Sequence, residues 1–406
     1  FGSSHLGSSW LKQDLCFSGK MKSSATCLCF ALLKAVVINH AYDQSLTDCK
    51  AVAQEFRNTC EHGDFDTPAT SMDTMNYESI ACANEKGKCI AAGVLNGTWC
   101  TWHRKLCVTC RDDNGVTKIR VQSNNLPDHC VSPSNVLVQA KNFDYEVIFN
   151  RQETHGNWVT SVATQDDLNT AVCGIAKQYN KRSLGIVEYG DTESRNAHGF
   201  AINGVAFQFA NQIKEDPVSP ITQTNEQPLD LCLGHNQRNS DSGMYHYHHL
   251  TPCLNTLFLE GKTMGTCADH DDCDNDKSAW SRLGYESMKH KKVIGIAKFG
   301  HVMYGPYKDS GETWGTDDVD ACNGVWSDND YFYVGTAWHP YLVGCQGPAD
   351  HPQDHGRFAQ CSANGMDKYV SEAMSTASTG SAALQLLLGP SAGRRNLLKR
   401  AGKLMS

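Results

Sequence analysis

The sequence predicts a mainly β fold: a disulfide-rich, β-sandwich-like domain with few helices, preceded by a small cysteine-rich module. Short runs of alternating character, such as Lys118-Ile-Arg-Val-Gln122 and Phe143-Asp-Tyr-Glu-Val-Ile-Phe149, recur along the chain. Alternation is the mark of a strand with one buried face. Turn-forming stretches separate the runs, Asp112-Asp-Asn-Gly115 being the clearest, because Asn-Gly suits the tight turn of a hairpin. Cysteines are frequent, 19 in 406 residues, which points to a bridged scaffold.

Taken in order, residues 1–20 read as an upstream segment without periodicity. Residues 21–41 read as a signal peptide, since Met21-Lys22 opens a basic start and Cys27-Leu-Cys-Phe-Ala-Leu-Leu33 an apolar run, although Lys34 interrupts it. The cysteine-rich module spans 42–132, with a helix expected over Leu46 to Cys60 and a hairpin around Asp112–Gly115. The β-rich domain spans 133–361. Strands are expected at Val136-Leu-Val138 and Phe143–Phe149. One helix is expected where Leu168, Val172, Ile175 and Tyr179 recur at helical spacing behind Asp166 or Asp167 as cap. Residues 362–406 read as a flexible tail, Ser/Thr/Ala-rich and then basic over Gly393–Arg400; a membrane-touching amphipathic helix is the alternative there. No other segment has the ~20 apolar residues of a transmembrane helix.

Cysteine positions agree with export. Cys16, Cys27 and Cys29 precede the expected cleavage, which leaves eight cysteines from Cys49 to Cys130 and eight from Cys173 to Cys361. Even counts in each part imply that each closes its own bridges. Cys107-Val-Thr-Cys110 lacks the second Cys-x-x-Cys of a zinc ribbon. Asn96-Gly-Thr98 is an N-glycosylation acceptor in a surface loop. A net charge of -8 excludes nucleic acid as the expected partner, since phosphates are neutralised by clustered Lys and Arg.

The most informative stretch is Tyr245-His-Tyr-His248. As a strand it sends His246 and His248 to one face and both tyrosines to the other, the imidazoles rooted roughly 6 to 7 Å apart at about 3.3 Å of rise per residue. Such a pair suits one transition metal, copper or zinc ahead of iron. The competing reading is a solvent-facing pair with its tyrosines packed inward. Further ligands must come from elsewhere, and His235 and His198 are favoured. His235 is close enough to meet His246 across a hairpin; His301, His339, His351 and His355 are also candidates. Asp269-His-Asp-Asp-Cys-Asp-Asn-Asp276 places carboxylates at alternate positions, Asp269 and Asp271 first, as calcium loops do. It lacks the glycine and glutamate of an EF-hand, and a turn clipped by Cys267 and Cys273 competes with the calcium reading.

Several blocks around this tetrapeptide occur in a familiar order. They are Ala201-Ile-Asn-Gly-Val-Ala-Phe207, Cys232-Leu-Gly-His235, Val293-Ile-Gly-Ile-Ala-Lys-Phe-Gly-His-Val-Met-Tyr-Gly-Pro306, Asp318-Val-Asp-Ala-Cys-Asn-Gly324, Tyr331-Phe-Tyr333 and His339-Pro-Tyr-Leu-Val-Gly-Cys345. From about 180 to 361 the chain thereby resembles the YHYH-domain proteins. The resemblance implies a fold unit and a secreted setting, and it implies no reaction. The chain departs from the family pattern at Phe299-Gly300-His301-Val302, where a carboxylate is replaced and a histidine gained. At Tyr331-Phe332-Tyr333-Val334 both histidines of a second Tyr-His-Tyr-His are missing. The site is therefore either lost or rebuilt with His301 and others, if the family draws ligands from both segments.

No glycine-rich phosphate loop of the Gly-x-Gly-x-x-Gly or Gly-x-x-x-x-Gly-Lys kind occurs. Two function classes remain. One is a secreted metal-binding protein that engages an extracellular protein or small molecule. The other is a secreted metal-dependent oxidoreductase or oxygenase with histidine-held copper or iron, oxygen-using luciferase-like chemistry included.

Overall fold

The computed structural model describes residues 42–60, 65–83, 87–132, 137–152, 185–190, 197–208, 228–236, 243–315, 318–320, 322–327, 330–337, 340–344 and 346–348. The expected signal segment, the 166–179 helix, the C-terminal tail, His339, His351, His355, Cys173, Cys345 and Cys361 lie outside these residues. The described residues belong to one compact unit and are mainly strands.

Helix α1, Leu46–Glu55, begins where the Ser45 side chain accepts from the Asp48 N–H, an N-cap that satisfies one of the free amides of the first turn. Cys49, Val52 and Ala53 form its buried face, and the helix ends five residues before the expected Cys60, where Phe56 turns extended. Strands β1 (Glu78–Ala83), β2 (Val94–Asn96) and β3 (Trp99–Arg104) make a three-stranded sheet in the order β1-β3-β2.

Strands β4 (Leu106–Asp113) and β5 (Val116–Ser123) form the expected hairpin. Its two loop residues, Asn114 and Gly115, have φ of 55° and 84°, the left-handed pair that a type I′ turn demands. β5 pairs in turn with β6 (Phe143–Ile148), and β6 with β7 (Val187–Glu188), so this four-stranded sheet runs on past position 132. Leu137 and Val138 are outside any strand.

All eight cysteines from Cys49 to Cys130 pair among themselves: Cys49–Cys110, Cys60–Cys107, Cys82–Cys130 and Cys89–Cys100. Cys107 and Cys110 thus serve two different bridges. Cys232–Cys253 and Cys267–Cys273 follow, and Cys322 is also disulfide-bonded.

An eight-stranded sheet holds β8 (Gly199–Ala201), β9 (Ala206–Phe207), β10 (Gly234–Asn236), β11 (Tyr245–Tyr247), β12 (Val293–Ala297), β13 (Val302–Tyr304), β14 (Gly324–Ser327) and β15 (Asp330–Val334). Their order, β10-β11-β9-β8-β12-β13-β15-β14, is a palindrome of two four-stranded halves. The correspondence is residue by residue. β11 pairs parallel with β9 as β15 does with β13. Gly234 faces Tyr247 across the outer hairpin of the first half, and Gly324 faces Tyr333 in the second. The turn glycines Gly204 and Gly300 have φ of 85° and 92°. At the seam Gly295 pairs with Ala201 and Ala297 with Gly199, about a central Phe200–Ile296 pair. A Cβ on Gly199 would meet the Ile296 carbonyl, and one on Gly295 the Phe200 carbonyl, so close backbone approach demands glycine at both. Phe200 packs against Phe143 and Tyr145 of the four-stranded sheet with ring centroids 5.1 and 5.5 Å away, giving the sandwich-like core.

Candidate metal centre

The first half of the sheet brings three imidazoles to one point. His235 on β10 stands opposite His246 on β11. His246 and His248 share a face because they are two residues apart on an extended segment. His246 Nε2 lies 2.9 Å from His248 Nε2, which lies 3.1 Å from His235 Nε2. All three side chains are buried, with 1–3% of their surface accessible, so the solvent-facing reading is overturned. Three nitrogens bound at about 2.0–2.1 Å to one tetrahedral ion stand about 3.3 Å apart, a few tenths of an ångström from the separations here. These residues therefore fit a transition metal with little rearrangement.

Protonation suits ligation. The Met244 carbonyl, 3.0 Å from His246 Nδ1, can only accept, which puts the proton on Nδ1 and leaves the Nε2 lone pair aimed at the other two rings. Burial, then the neighbouring His235 and His248, holds the His246 imidazolium pKa well below its usual 6.5. His246 is thus neutral at neutral pH, the form that binds a metal.

Local structure fixes the register of this hairpin. Asp230 Oδ1 accepts from the N–H groups of Cys232 (2.9 Å) and Gly234 (3.1 Å), and Tyr245 donates its hydroxyl to Oδ2 at 2.6 Å. Leu233 in this turn has φ 58°, a conformation unfavourable for a branched side chain, and its N–H donates to the Asp230 carbonyl. A Cβ at Gly234 would collide with the Tyr245 ring. The second half repeats the device: Asp320 Oδ1 accepts from Cys322 and Gly324, and Tyr331 donates to Oδ2 at 2.9 Å. Sequence reading missed this clamp, although Asp-x-Cys-x-Gly at 230–234 and again at 320–324 could have pointed to it.

The other sequence candidates fall differently. His198, just before β8, is buried; burial, then Lys298 and His248, depresses its pKa well below 6.5. It is a neighbour of the trio, with its backbone N–H on the Phe207 carbonyl at 2.8 Å. Lys298 beside it is fully buried and ion-paired to Glu188 at 2.9 Å. His301 lies against Tyr331 and Tyr333, with ring centroids 5.2 and 6.1 Å away, and is not among the three gathered imidazoles. His249 packs instead against Tyr341, with ring centroids 4.2 Å apart and the planes tilted by 45°.

Asp269 and Asp271 are exposed. Asp269 accepts from the Thr266 hydroxyl, and Asp271 opens the short helix α2, Asp271–Asn275, over the Cys267–Cys273 bridge. Neither falls in a metal-capable cluster among the described residues. His129, Cys232 and Cys253 also meet, but both sulfurs are committed to one disulfide and are no longer ligands. His129 instead takes the Tyr247 hydroxyl at 2.7 Å, beside Asn203 at 3.1 Å.

Against known proteins, residues 185–314 match the family model described as YHYH protein. The matched span contains the imidazole trio and stops before β14. Neither the curated proteins nor the solved structures contain a match.

Proposed function

We propose, with the YHYH match as premise, that this chain is a secreted, disulfide-stabilised metal-binding protein that holds one transition metal, zinc or copper, on His235, His246 and His248. A single observation carries the reading: three buried imidazoles whose Nε2 atoms meet, those of His246 and His235 each within hydrogen-bond distance of that of His248, at nearly the spacing one ion imposes. A solvent-excluded group of imidazoles with no ion is a costly arrangement, because lone pairs face one another; an ion removes that cost.

Export is supported by the bridges, which persist in oxidising compartments. Among the described residues no helix is long and apolar enough to cross a membrane. The metal stabilises the first half of the sheet, and the protein engages an extracellular protein or small molecule. A calcium role for Asp269 and Asp271 has weaker support, since their carboxylates point to solvent around a disulfide-closed turn.

Elemental analysis of purified protein tests the site. One equivalent of metal is expected, lost when His246→Ala and His248→Ala are combined. Equal metal in both proteins would refute it.

A second reading rests on the ligand count. Three protein donors are the number that catalytic centres use, with a further position left for water, oxygen or substrate. A histidine-held copper or iron there would make the protein an oxidoreductase or oxygenase. Visible absorption or an electron paramagnetic signal in the metal-loaded protein favours this reading. Their absence with zinc bound favours the first.

A further inference from the structure

We infer that Asn96 carries an N-linked glycan whose first sugars lie over Trp99 and Val94, covering the outer apolar face of the three-stranded sheet. The inference uses the export reading of the preceding section but not the metal.

Asn96-Gly97-Thr98 is the chain's single Asn-x-Ser/Thr tripeptide. All three residues are exposed and cap the β2–β3 hairpin. Asn96 and Trp99 form its closing pair, so Gly97-Thr98 is a two-residue loop. Gly97 has φ 59° while Thr98 does not share the left-handed region, the signature of a type II′ turn that projects from the sheet. An acceptor asparagine here is open to a transferase without unfolding.

The surface beside it is the second observation. Residues directly opposite in an antiparallel pair point to one face with Cβ atoms about 5 Å apart. Asn96 therefore shares a face with Trp99, and two pairs further on Val94 shares it with Thr101. Trp99 is 53% exposed and Val94 71%, and Tyr77, 53% exposed, stacks on His103 at the other end of β3. β2 is also an edge strand. An apolar face beside an open edge invites strand addition or aggregation unless something covers it. A sugar linked to the Asn96 side chain starts about one side-chain width from the indole of Trp99. Its C–H face can stack on that ring while its hydroxyls remain in water.

The modification is a group transfer. The Asn96 amide nitrogen forms a bond to the anomeric carbon of an oligosaccharide carried on a polyprenyl diphosphate, the donor of the export route. The bond from that carbon to the diphosphate breaks, and the amide proton leaves with the released lipid diphosphate.

The full chain secreted from eukaryotic cells supplies the test. Peptide N-glycosidase should lower its mass by one glycan and convert Asn96 to aspartate, and Asn96→Gln and Thr98→Ala should each abolish the shift. Removing the glycan should raise iodide quenching of tryptophan fluorescence, and Trp99→Phe should erase that rise. A secreted, fully bridged protein with an unmodified Asn96 overturns the proposal and leaves export standing. A glycan whose removal leaves Trp99 quenching unchanged overturns the shielding. A chain retained in the cell with free thiols overturns export itself and, with it, the glycan.

Discussion

Tyr245 donates its hydroxyl to the buried carboxylate of Asp230 at 2.6 Å, and this bond locks β10 against β11 so that His235 faces His246. Its counterpart, Tyr331 on Asp320, locks a hairpin that carries no imidazoles. Removing either hydroxyl should leave a buried carboxylate short of a donor and lower stability by about 1–3 kcal/mol. Only Tyr245→Phe should also weaken metal binding, by roughly tenfold as when a supporting partner is lost. Denaturant melts and metal titrations of both variants check this; equal metal affinity in the two would remove the clamp's role at the site.

His198 adjoins the trio without completing it. His198→Ala should keep one equivalent of metal, whereas His235→Ala should weaken binding at least tenfold, because two donors hold an ion poorly. Isothermal titration with zinc separates the two, and loss of metal in His198→Ala would make it a fourth ligand.

Acid should destabilise the metal-free protein. Burial lowers the pKa of His198 and His246 well below 6.5 and that of His249 to about 3. As pH falls below 6.5 the unfolded chain takes up protons that the folded chain refuses. Stability is full above that pH and falls by up to about 1.4 kcal/mol per pH unit for each histidine. The carboxyls of Asp230, Asp276 and Asp330, raised by burial, oppose this as pH approaches 3.8, so the slope is steepest about one unit below 6.5, where the unfolded histidines are nearly all protonated. Urea midpoints between pH 7 and 5 measure it; a midpoint that rises on acidification contradicts the assignment.

The palindromic sheet makes the second half a blank copy of the site. Val325, Phe332 and Val334 stand where His235, His246 and His248 stand in the first half, and all three are buried. Substituting histidine at the three together should raise the bound metal from one equivalent to two in the variant that folds. A stoichiometry still at one, with native far-ultraviolet circular dichroism, would show that the two halves differ in more than side chains.

The local structure was legible wherever neighbours in sequence decide it. Asn114-Gly115 announced its hairpin because both positions need φ above zero, and the helix expected from Leu46 does begin there, though it ends five residues early. The pairing of eight cysteines within 49–130 followed from their number. The strand over Tyr245–Tyr247 followed from alternation, and the spacing of His235 and His246 suggested that they meet. Long-range pairing was hidden. The parallel contact of β9 with β11 joins Ala206 to His246 through no local signal, and the order of eight strands depends on it. The duplication showed in sequence as two ragged Tyr-x-Tyr segments and the repeated Asp-x-Cys-x-Gly at 230–234 and 320–324. The loops from Gly234 to Tyr245 and from Gly324 to Tyr331 differ in length, and apolar residues replace the histidines. The Tyr247–His129 bond joins residues from opposite sides of the 132/133 division and has no spacing to betray it.

The glycine-lined seam between β8 and β12 has one more consequence. Its two sides present the same backbone pattern to each other, which is the geometry that two identical subunits adopt about a twofold axis. A single half bearing its own histidine triplet already owns an edge that fits a second copy of itself, and such a homodimer would hold two ions. Joining two such halves in one polypeptide removes the need for both to be identical, and here only the first presents imidazoles at the shared positions.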